Sequence, residues 1–266
     1  RSDLAVLFLY DSVAIEPPSI GGRCFTDFLQ EGITEQFFFS ELAAAITQTI
    51  THHSQSGRLY EIDSRLRPTG KSGALAVSTN EFLRYFSSGK GQLWERQALC
   101  KARPVFGLDA NCERVEEMVQ RIILDQTWLP EMADEIQSMR LAMQKDCSAR
   151  NLKRGRGGTV DVEFAIQMLQ LKHARTNPEI LVPGTLKAIE QLELAGFLSS
   201  ELAERLRTGY RLLRTVEARL RLMNTAARHD FPENKKQMDK LAFLLQYQSA
   251  AQLEIFVNEQ RHKIRE

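Results

Sequence analysis

The chain has 266 residues, 43% of them hydrophobic and 26% charged, and its 35 basic and 34 acidic side chains leave a net charge of +1. This composition excludes a disordered protein, and so balanced a charge gives no global reason to bind nucleic acid or a membrane surface. No apolar run approaches the roughly 20 residues of a transmembrane helix, and the four scattered cysteines have no CxxC spacing, which argues against a zinc ribbon. We therefore expect a globular cytoplasmic protein with no nucleic-acid and no membrane partner.

The first 110 residues mix strand and helix signals. The chain has no start methionine and enters an apolar run at Leu4–Tyr10 that is rich in strand formers, so we expect a buried strand here and further sequence upstream. The segment 11–32 contains proline and glycine pairs that are typical of a loop. Strands are predicted at 58–67 and 74–77, on either side of a turn at 68–73, and helices at 34–53, 79–86 and 91–101.

From Asn111 onward the strand signals stop, and breaks that carry proline or glycine separate apolar patterns of helical period. We place a domain boundary at 107–111, which divides the chain into an α+β domain at 1–110 and an all-α helical bundle domain at 111–266. The predicted helices of the second domain are 111–125, 131–150, 159–175, 184–195, 199–225, 235–247 and 249–265.

The most informative stretch is the predicted strand 58–67, in which charged residues alternate with others. Glu61, Asp63, Arg65 and Arg67 would share one face of such a strand. Four charges on one face are costly to bury unless they are paired or bind a ligand. Two interpretations stay open: an exposed face with cross-strand ion pairs, or an acidic metal ligand beside two arginines that hold phosphates.

Asp3 stands at the start of the opening strand, where a lone aspartate is usually a turn or cap residue. On a strand beside Asp63, however, it would give a divalent cation a second carboxylate. Mg²⁺ sites commonly combine one or two carboxylates with substrate phosphates, and the ion stabilises charge during phosphoryl transfer. Asp3 and Asp63 together are therefore a candidate site for metal-dependent phosphoryl transfer.

These residues resemble motifs of the nucleotidyltransferase superfamily, and more closely those of the bacterial glutamine synthetase adenylyltransferases (glutamate–ammonia-ligase adenylyltransferases). The stretch LYEIDSRLRP is specific to that resemblance, whereas the Ser2–Asp3 pair alone is not. The matching segments follow the family's order through most of the chain: SDLAVLFLYD at 2–11, LYEIDSRLRPTGKSG at 59–73, WERQAL at 94–99, KAR at 101–103 and GGTVDVEF at 157–164.

The resemblance implies a nucleotidyltransferase-type mixed sheet with flanking helices, incomplete at its N-terminus, followed by the helical bundle. Members of the family have two homologous halves, and the 94–99 and 157–164 variants look more like the C-terminal, adenylylating half. The implied activity is Mg²⁺-dependent transfer of AMP from ATP to a tyrosine of glutamine synthetase, with the PII signalling protein as a possible second partner. The resemblance implies that Asp3 and Asp63 are catalytic and metal-binding groups and that Ser2 contacts the β/γ phosphates. The candidates for further phosphate contacts, or else for surface ion pairs, are Arg65, Arg67 and Lys71.

Two positions depart from the family pattern. Arg1 replaces the usual glycine, and Ala5 replaces the second aspartate, so one of the three expected metal-binding carboxylates is absent. Glu61 lies on the predicted face of Asp63, one pleat away, and is a candidate partial substitute. Two alternatives to adenylylation therefore remain: a catalytically impaired regulatory or binding module of the same fold, and the deadenylylating half, which acts by phosphorolysis.

The glycine-rich segment before the predicted helix 159–175 carries further charges. Asp161 and Glu163 fall in the first turn of that helix, where the macrodipole favours acids whether or not they take part in chemistry. Lys153, Arg154 and Arg156 beside three glycines suggest an anion-binding loop, but the P-loop spacing is absent. We expect the two acids to be structural.

Overall fold

The computed structural model describes residues 3–11, 19–20, 23–24, 34–52, 61–223 and 229–266. By its contacts the chain divides into two compact units, Arg1–Ala98 with Pro104–Ile122, and Leu99–Arg103 with Ile123–Glu266. The predicted domain boundary at 107–111 stays a prediction. Among the described residues, no helix combines the length and apolar character that a membrane crossing requires.

The described residues of the first part of the chain form short strands and helices. The strands are β1 (Asp3–Ala5), β2 (Phe8–Tyr10), β3 (Ser19–Ile20), β4 (Arg23–Cys24), β5 (Glu61–Asp63) and β6 (Ala76–Ser78). The helices are α1 (Glu35–Thr51), α2 (Thr79–Ser87), α3 (Leu93–Leu99) and α4 (Asp109–Leu124).

The second part of the described chain is helical apart from one isolated bridge between Asn151 and Asp230. With the strands of the first part, it confirms the α+β class. The helices are α5 (Glu131–Lys145), α6 (Thr159–His173), α7 (Thr185–Leu194), α8 (Ser200–Leu222), α9 (Lys235–Leu244) and α10 (Ala250–Arg265).

The strands pair in twos within the described residues. β1 lies parallel to β5, β2 lies parallel to β6, and β3 and β4 form a short antiparallel pair. The prediction of one strand over Leu4–Tyr10 was wrong in extent, because Val6 and Leu7 separate β1 from β2 and the two segments pair with different partners. The nucleotidyltransferase-type arrangement of the sheet stays a prediction.

The predicted strand 58–67 was also too long. β5 ends at Asp63, and residues 58–60 lie outside the described residues. The strand ends there because the Asp63 carboxylate accepts the backbone N–H of Arg65 at 3.1 Å, a local bond that competes with ladder formation. Arg65 and Arg67 therefore do not continue the alternation of Glu61 and Asp63.

The helix predictions are confirmed with ends that differ by a few residues, apart from 131–150. Helix α8 begins behind Ser199, whose hydroxyl accepts the Leu202 N–H at 3.2 Å and caps the helix. Helix α5 stops at Lys145, five residues early. In place of the last predicted turn, Asn151 forms a bridge with Asp230, and its side-chain oxygen accepts the N–H groups of Lys153 and Arg154.

The core of the second unit is built around α8. One face of this helix packs on α6 and α7, and its later turns pack on α9 and α10. Each fully buried leucine or isoleucine contributes about 1.5–3 kcal/mol relative to an exposed one. Residues of this core with no exposed surface include Val162, Ile189, Leu192, Leu213, Leu220, Leu241, Leu253 and Val257.

One charged residue, Glu217, lies within the apolar stripe of α8 and is only 1% exposed. Its carboxylate lies 2.8 Å from His229 Nδ1 and accepts a hydrogen bond from Arg214 Nη1 at 3.1 Å. Burial alone raises the pKa of Glu217, but the His229 hydrogen bond and the nearby positive charges outweigh burial and lower that pKa below its ordinary value. The pair joins α8 to the segment that precedes α9.

We expect the Glu217→Gln substitution to reduce the free energy of unfolding at pH 7, with a loss that shrinks as the pH falls. A carboxylate whose folded pKa is lowered stabilises the protein above its unfolded pKa of about 4.3 and loses that effect as the pH falls through the folded pKa. Urea denaturation between pH 3 and 7 measures the difference from the unsubstituted protein. Glu259→Gln, at an exposed position of α10, is the control. A loss independent of pH would contradict the prediction.

Candidate functional site

The candidate site begins at the parallel pair of β1 and β5. Its register places Asp3 opposite Glu61 and Ala5 opposite Asp63. The backbone N–H of Val6 donates to the carbonyl of Asp63 at 2.9 Å, which extends the pairing to the end of β5. The position where the sequence resemblance expects a second aspartate is therefore the direct neighbour of Asp63, and Ala5 is exposed there.

A cleft of about 390 Å³ opens where β5 ends. It brings together four of the predicted site residues, because the chain turns back after Asp63 and the short 3₁₀ helix Gly70–Ser72 returns toward the strand. Of the other two, Asp3 lies in β1, and Ser2 falls outside the described residues. The cleft is lined by Glu61, Ile62, Asp63, Ser64, Arg65, Arg67 and Lys71.

Arg65 and Asp63 form a bidentate ion pair inside the cleft. Arg65 Nε lies 2.7 Å from Asp63 Oδ1 and 2.9 Å from Oδ2, and Nη2 also contacts Oδ2. The hydrogen bond from the Arg65 side chain holds the pKa of Asp63 below its ordinary value against the opposing effect of burial, with a smaller contribution from the charge of Lys71. Asp63 is therefore ionised at neutral pH.

Arg67 is directed at the backbone of its own loop. Its guanidinium donates to the carbonyl and the hydroxyl of Ser64, to the Gly73 carbonyl at 3.2 Å and to the Lys71 carbonyl at 3.5 Å. Gly73 is needed here, because a Cβ at this position would lie 2.2 Å from the Pro68 carbonyl oxygen. Arg67 therefore shapes the loop from 64 to 73, and its contact with phosphate stays a prediction.

The segment WERQAL at 94–99 supplies internal contacts of the first unit. Both Glu95 and Arg96 are buried. The Glu95 carboxylate accepts the Tyr85 hydroxyl at 3.0 Å and the Gln92 N–H at 2.7 Å. Arg96 donates to the carbonyls of Phe86, at 3.1 Å, and of Ile122. The charged residues of this segment therefore connect α2, α3 and α4.

Asp161 is the centre of a buried charge cluster in the second unit. Its carboxylate lies 2.6 Å from Arg140 Nε and 3.1 Å from Arg265 Nη1, and it accepts the Gly157 N–H at 2.6 Å. Gly157 has φ +69°, and a Cβ on it would lie 2.0 Å from the Arg261 carbonyl oxygen. The interpretation of Asp161 as a structural residue fits these contacts, but its partners could not be read from the sequence.

Glu163 also has tertiary partners. Its carboxylate accepts the Tyr210 hydroxyl at 2.8 Å and lies 2.9 Å from Lys101 Nζ. Burial, with the Glu163 charge second, raises the pKa of Tyr210 to about 12. Glu163 thus links α6 to α8 and to the KAR segment at 101–103.

The glycine loop before α6 does not present its backbone to an anion. The N–H of Gly158 donates to Gly155, that of Thr159 to Leu152 and that of Val160 to Lys153. These groups are the donors that an anion would need at a helix N-terminus. The glycines instead let the loop pack closely, and Lys153, Arg154 and Arg156 gain no phosphate site from it.

Whether a metal ion fits the cleft depends on the side-chain atoms there that can act as ligands. Among the described residues, no group of three or more histidine, cysteine, aspartate or glutamate side chains is placed to hold a metal ion. Asp63 offers the hard oxygen ligands that Mg²⁺ prefers, and Ala5 beside it offers none. Asp63 would therefore fit a Mg²⁺ ion only if water and phosphate oxygens supplied most of the other ligands.

Comparison with known proteins matches both parts of the chain. Residues 1–118 match the family model described as glutamate-ammonia ligase adenylyltransferase, and residues 131–266 match the GlnD PII-uridylyltransferase model. Three curated relatives share the name bifunctional glutamine synthetase adenylyltransferase/adenylyl-removing enzyme.

The relative from Cutibacterium acnes is 35% identical over 208 residues, which cover 76% of this chain and 21% of the relative. That from Thioalkalivibrio sulfidiphilus is 33% identical over 249 residues, 91% of this chain and 25% of the relative. That from Nitrosococcus oceani is 33% identical over 234 residues, 85% of this chain and 23% of the relative. The chain therefore spans between a fifth and a quarter of the length of these relatives.

Proposed function

The chain belongs to the glutamate–ammonia ligase adenylyltransferase family, and from this premise we propose that it carries a site that transfers AMP from ATP to a tyrosine of glutamine synthetase. The observation that carries the proposal is the cleft at the end of β5. It is lined by seven residues of the segment LYEIDSRLRPTGK, which is the most specific stretch of the family resemblance. The modification would regulate nitrogen assimilation in the cytoplasm.

Asp63 and Asp3 are the proposed ligands of Mg²⁺ in this site. When bound, Mg²⁺ neutralises negative charge on the phosphates of ATP. The lowered pKa of Asp63 suits this role, because the carboxylate is ionised at neutral pH. The same shift makes Asp63 a weak base toward a tyrosine hydroxyl with a pKa of about 10, so we assign it to holding and orientation rather than to proton removal.

The proposed reaction forms one bond and breaks one bond at the α-phosphorus of ATP. The tyrosine oxygen bonds to that phosphorus while the bond to the bridging oxygen of the β-phosphate breaks, so that pyrophosphate leaves and the tyrosine proton passes to solvent. Arg65 and Lys71 line the cleft with side chains that are exposed enough to reach the phosphates. Ser2 is the proposed contact of the β/γ phosphates.

We assign the chain to the adenylylating half of its family, because its 94–99 and 157–164 segments resemble that half. The names of the relatives also include adenylyl removal, so the opposite direction is the alternative to test. PII is a proposed second partner, and the match of residues 131–266 to a PII-uridylyltransferase model is in keeping with it.

A second candidate function rests on Ala5. This residue lies directly opposite Asp63, in place of one of the three carboxylates that the resemblance implies. A site with fewer carboxylates would bind Mg²⁺ more weakly. The candidate is a catalytically impaired module that keeps the fold and regulates or binds rather than transfers AMP.

Label transfer to purified glutamine synthetase tests the proposal. We expect the full-length protein to transfer label to glutamine synthetase from ATP labelled at the α-phosphate, and only when Mg²⁺ is present. ATP labelled at the γ-phosphate should transfer no label. Release of ADP from adenylylated glutamine synthetase that depends on phosphate and on Asp63 would instead select the deadenylylating half. No transfer in either direction would contradict the enzymatic proposal and favour the second candidate.

A further inference from the structure

We propose that Arg65 is a built-in counter-ion of Asp63, and that Arg65 must leave the carboxylate before Asp63 holds a metal ion. The inference rests on the proposed function, because it concerns the same cleft. In this proposal Arg65 is a positioning residue, and its change of partner from Asp63 to phosphate couples metal binding to phosphate binding.

The ion pair occupies both oxygens of Asp63. Arg65 Nε lies within 2.9 Å of each oxygen, Nη2 contacts Oδ2, and the Arg65 backbone N–H donates to Oδ1 at 3.1 Å. A guanidinium and a carboxylate in this arrangement form a fork, which uses the same edge of the carboxylate that a bidentate cation would use. The side chain of Arg65 therefore covers the ligand atoms that the proposed metal site needs.

Charge makes the two occupants competitors. A divalent cation bound to Asp63 would lie within a few ångströms of the Arg65 guanidinium, and the repulsion between like charges at that distance is substantial even in water. Ala5, the residue directly opposite, provides no second carboxylate to offset that repulsion, and Lys71, which lines the same cleft, adds a further positive charge. The Asp63 carboxylate carries one negative charge, which is too little to neutralise a guanidinium and a divalent cation at once.

Arg65 is able to leave, whereas Arg67 is not. The Arg65 side chain is 66% exposed, so most of its surface already faces solvent and it has room to rotate away from Asp63. Arg67 is half-buried and donates to the loop carbonyls of Ser64, Lys71 and Gly73. Unlike Arg67, Arg65 can therefore exchange a carboxylate for a phosphate, a ligand that its planar fork matches equally well.

The exchange keeps the charge of the cleft balanced. Without ligand, the Arg65 guanidinium neutralises the negative charge of the Asp63 carboxylate. With Mg²⁺ and ATP present, Asp63 holds the metal ion and Arg65 pairs with phosphate oxygens. Removing the guanidinium should therefore have opposite effects on the two ligands: tighter binding of the metal alone and weaker binding of the phosphate chain.

Binding of Mn²⁺, a paramagnetic substitute for Mg²⁺, tests the first effect without catalysis. Titration followed by electron paramagnetic resonance should show that Arg65→Gln tightens Mn²⁺ binding by about three- to tenfold, the range expected for removing one like charge near a divalent ion. Arg84→Gln removes the same charge from an exposed position of α2 outside the cleft and should leave Mn²⁺ binding unchanged. Adding Asp63→Asn to Arg65→Gln should abolish the gain.

Binding of inorganic triphosphate in the presence of Mn²⁺ tests the second effect. We expect Arg65→Gln to weaken it by about three- to tenfold, the range of a charge-assisted contact at an exposed site. Mn²⁺ binding that is unchanged or weaker in Arg65→Gln would overturn the proposal, and so would binding too weak to detect in that variant. These titrations do not depend on AMP transfer, so failure of the proposed function and failure of this inference give different results.

Discussion

Transfer of AMP to glutamine synthetase is expected to fall by about 100- to 1000-fold when Asp63 is replaced by asparagine, the range for losing a preorganised electrostatic group. Asparagine keeps the shape of the side chain but loses the charge that the proposed metal ion requires. Three features single out Asp63 among the cleft residues: it ends β5, lies opposite Ala5 and is kept ionised by Arg65. Initial rates with α-labelled ATP measure the loss.

Two substitutions at Ala5 complete this experiment. Ala5 is exposed, so an aspartate there adds a charge without burying it. Ala5→Asp should raise transfer at limiting Mg²⁺ by about tenfold, since it adds an oxygen ligand beside Asp63. Ala5→Asn, which is similar in size but neutral, is the control and should give no such gain.

The pattern across these variants separates the two candidate functions. If the unsubstituted protein transfers label and Asp63→Asn abolishes that transfer, the existing carboxylates suffice for catalysis. If only the Ala5→Asp variant transfers label, the fold and the site are assigned correctly and Ala5 disables catalysis. Equal transfer by the unsubstituted protein and by Asp63→Asn would contradict our assignment of the site.

Replacing Asp161 with alanine is expected to lower the free energy of unfolding by about 3–5 kcal/mol, the cost of removing one partner from a buried ion pair. The side chains of Asp161 and Arg140 are 6% and 5% exposed, so the substitution leaves the Arg140 guanidinium charged and buried. It also removes the acceptor of the Gly157 N–H and the contact to Arg265. Denaturation of the whole chain, followed by far-ultraviolet circular dichroism, measures the effect.

Two controls show whether the charge cluster is responsible for that loss. Asp239→Ala removes an exposed aspartate of α9 and should change stability by no more than about 0.5 kcal/mol. Joining Asp161→Asn with Arg140→Met removes both charges together, and this double variant should be more stable than Asp161→Asn alone. Additive effects of the two substitutions would contradict the pairing.

Much of the fold follows from local properties of the sequence. Apolar residues at helical spacing indicated the helices of the second part, and Ser199 at the start of α8 is a capping residue whose role depends on neighbours three positions away. The segment around Asp63 also identified the family, because its residue types occur in a specific order. These features are readable because their causes, periodicity and capping, act within a few residues.

The tertiary structure alone decided what each charged residue contacts. Arg65 turns back onto Asp63 and Arg67 onto carbonyls of its own loop, although simple alternation placed both on the face of Asp63. Asp161 meets Arg265, which is 104 residues away, and Ala5 meets Asp63 through the register of two parallel strands. The contacts of Asp161 and Ala5 depend on where distant segments are brought together, and those of Arg65 and Arg67 depend on the turn that the chain makes after Asp63. An alternating pattern of charges carries no information about either.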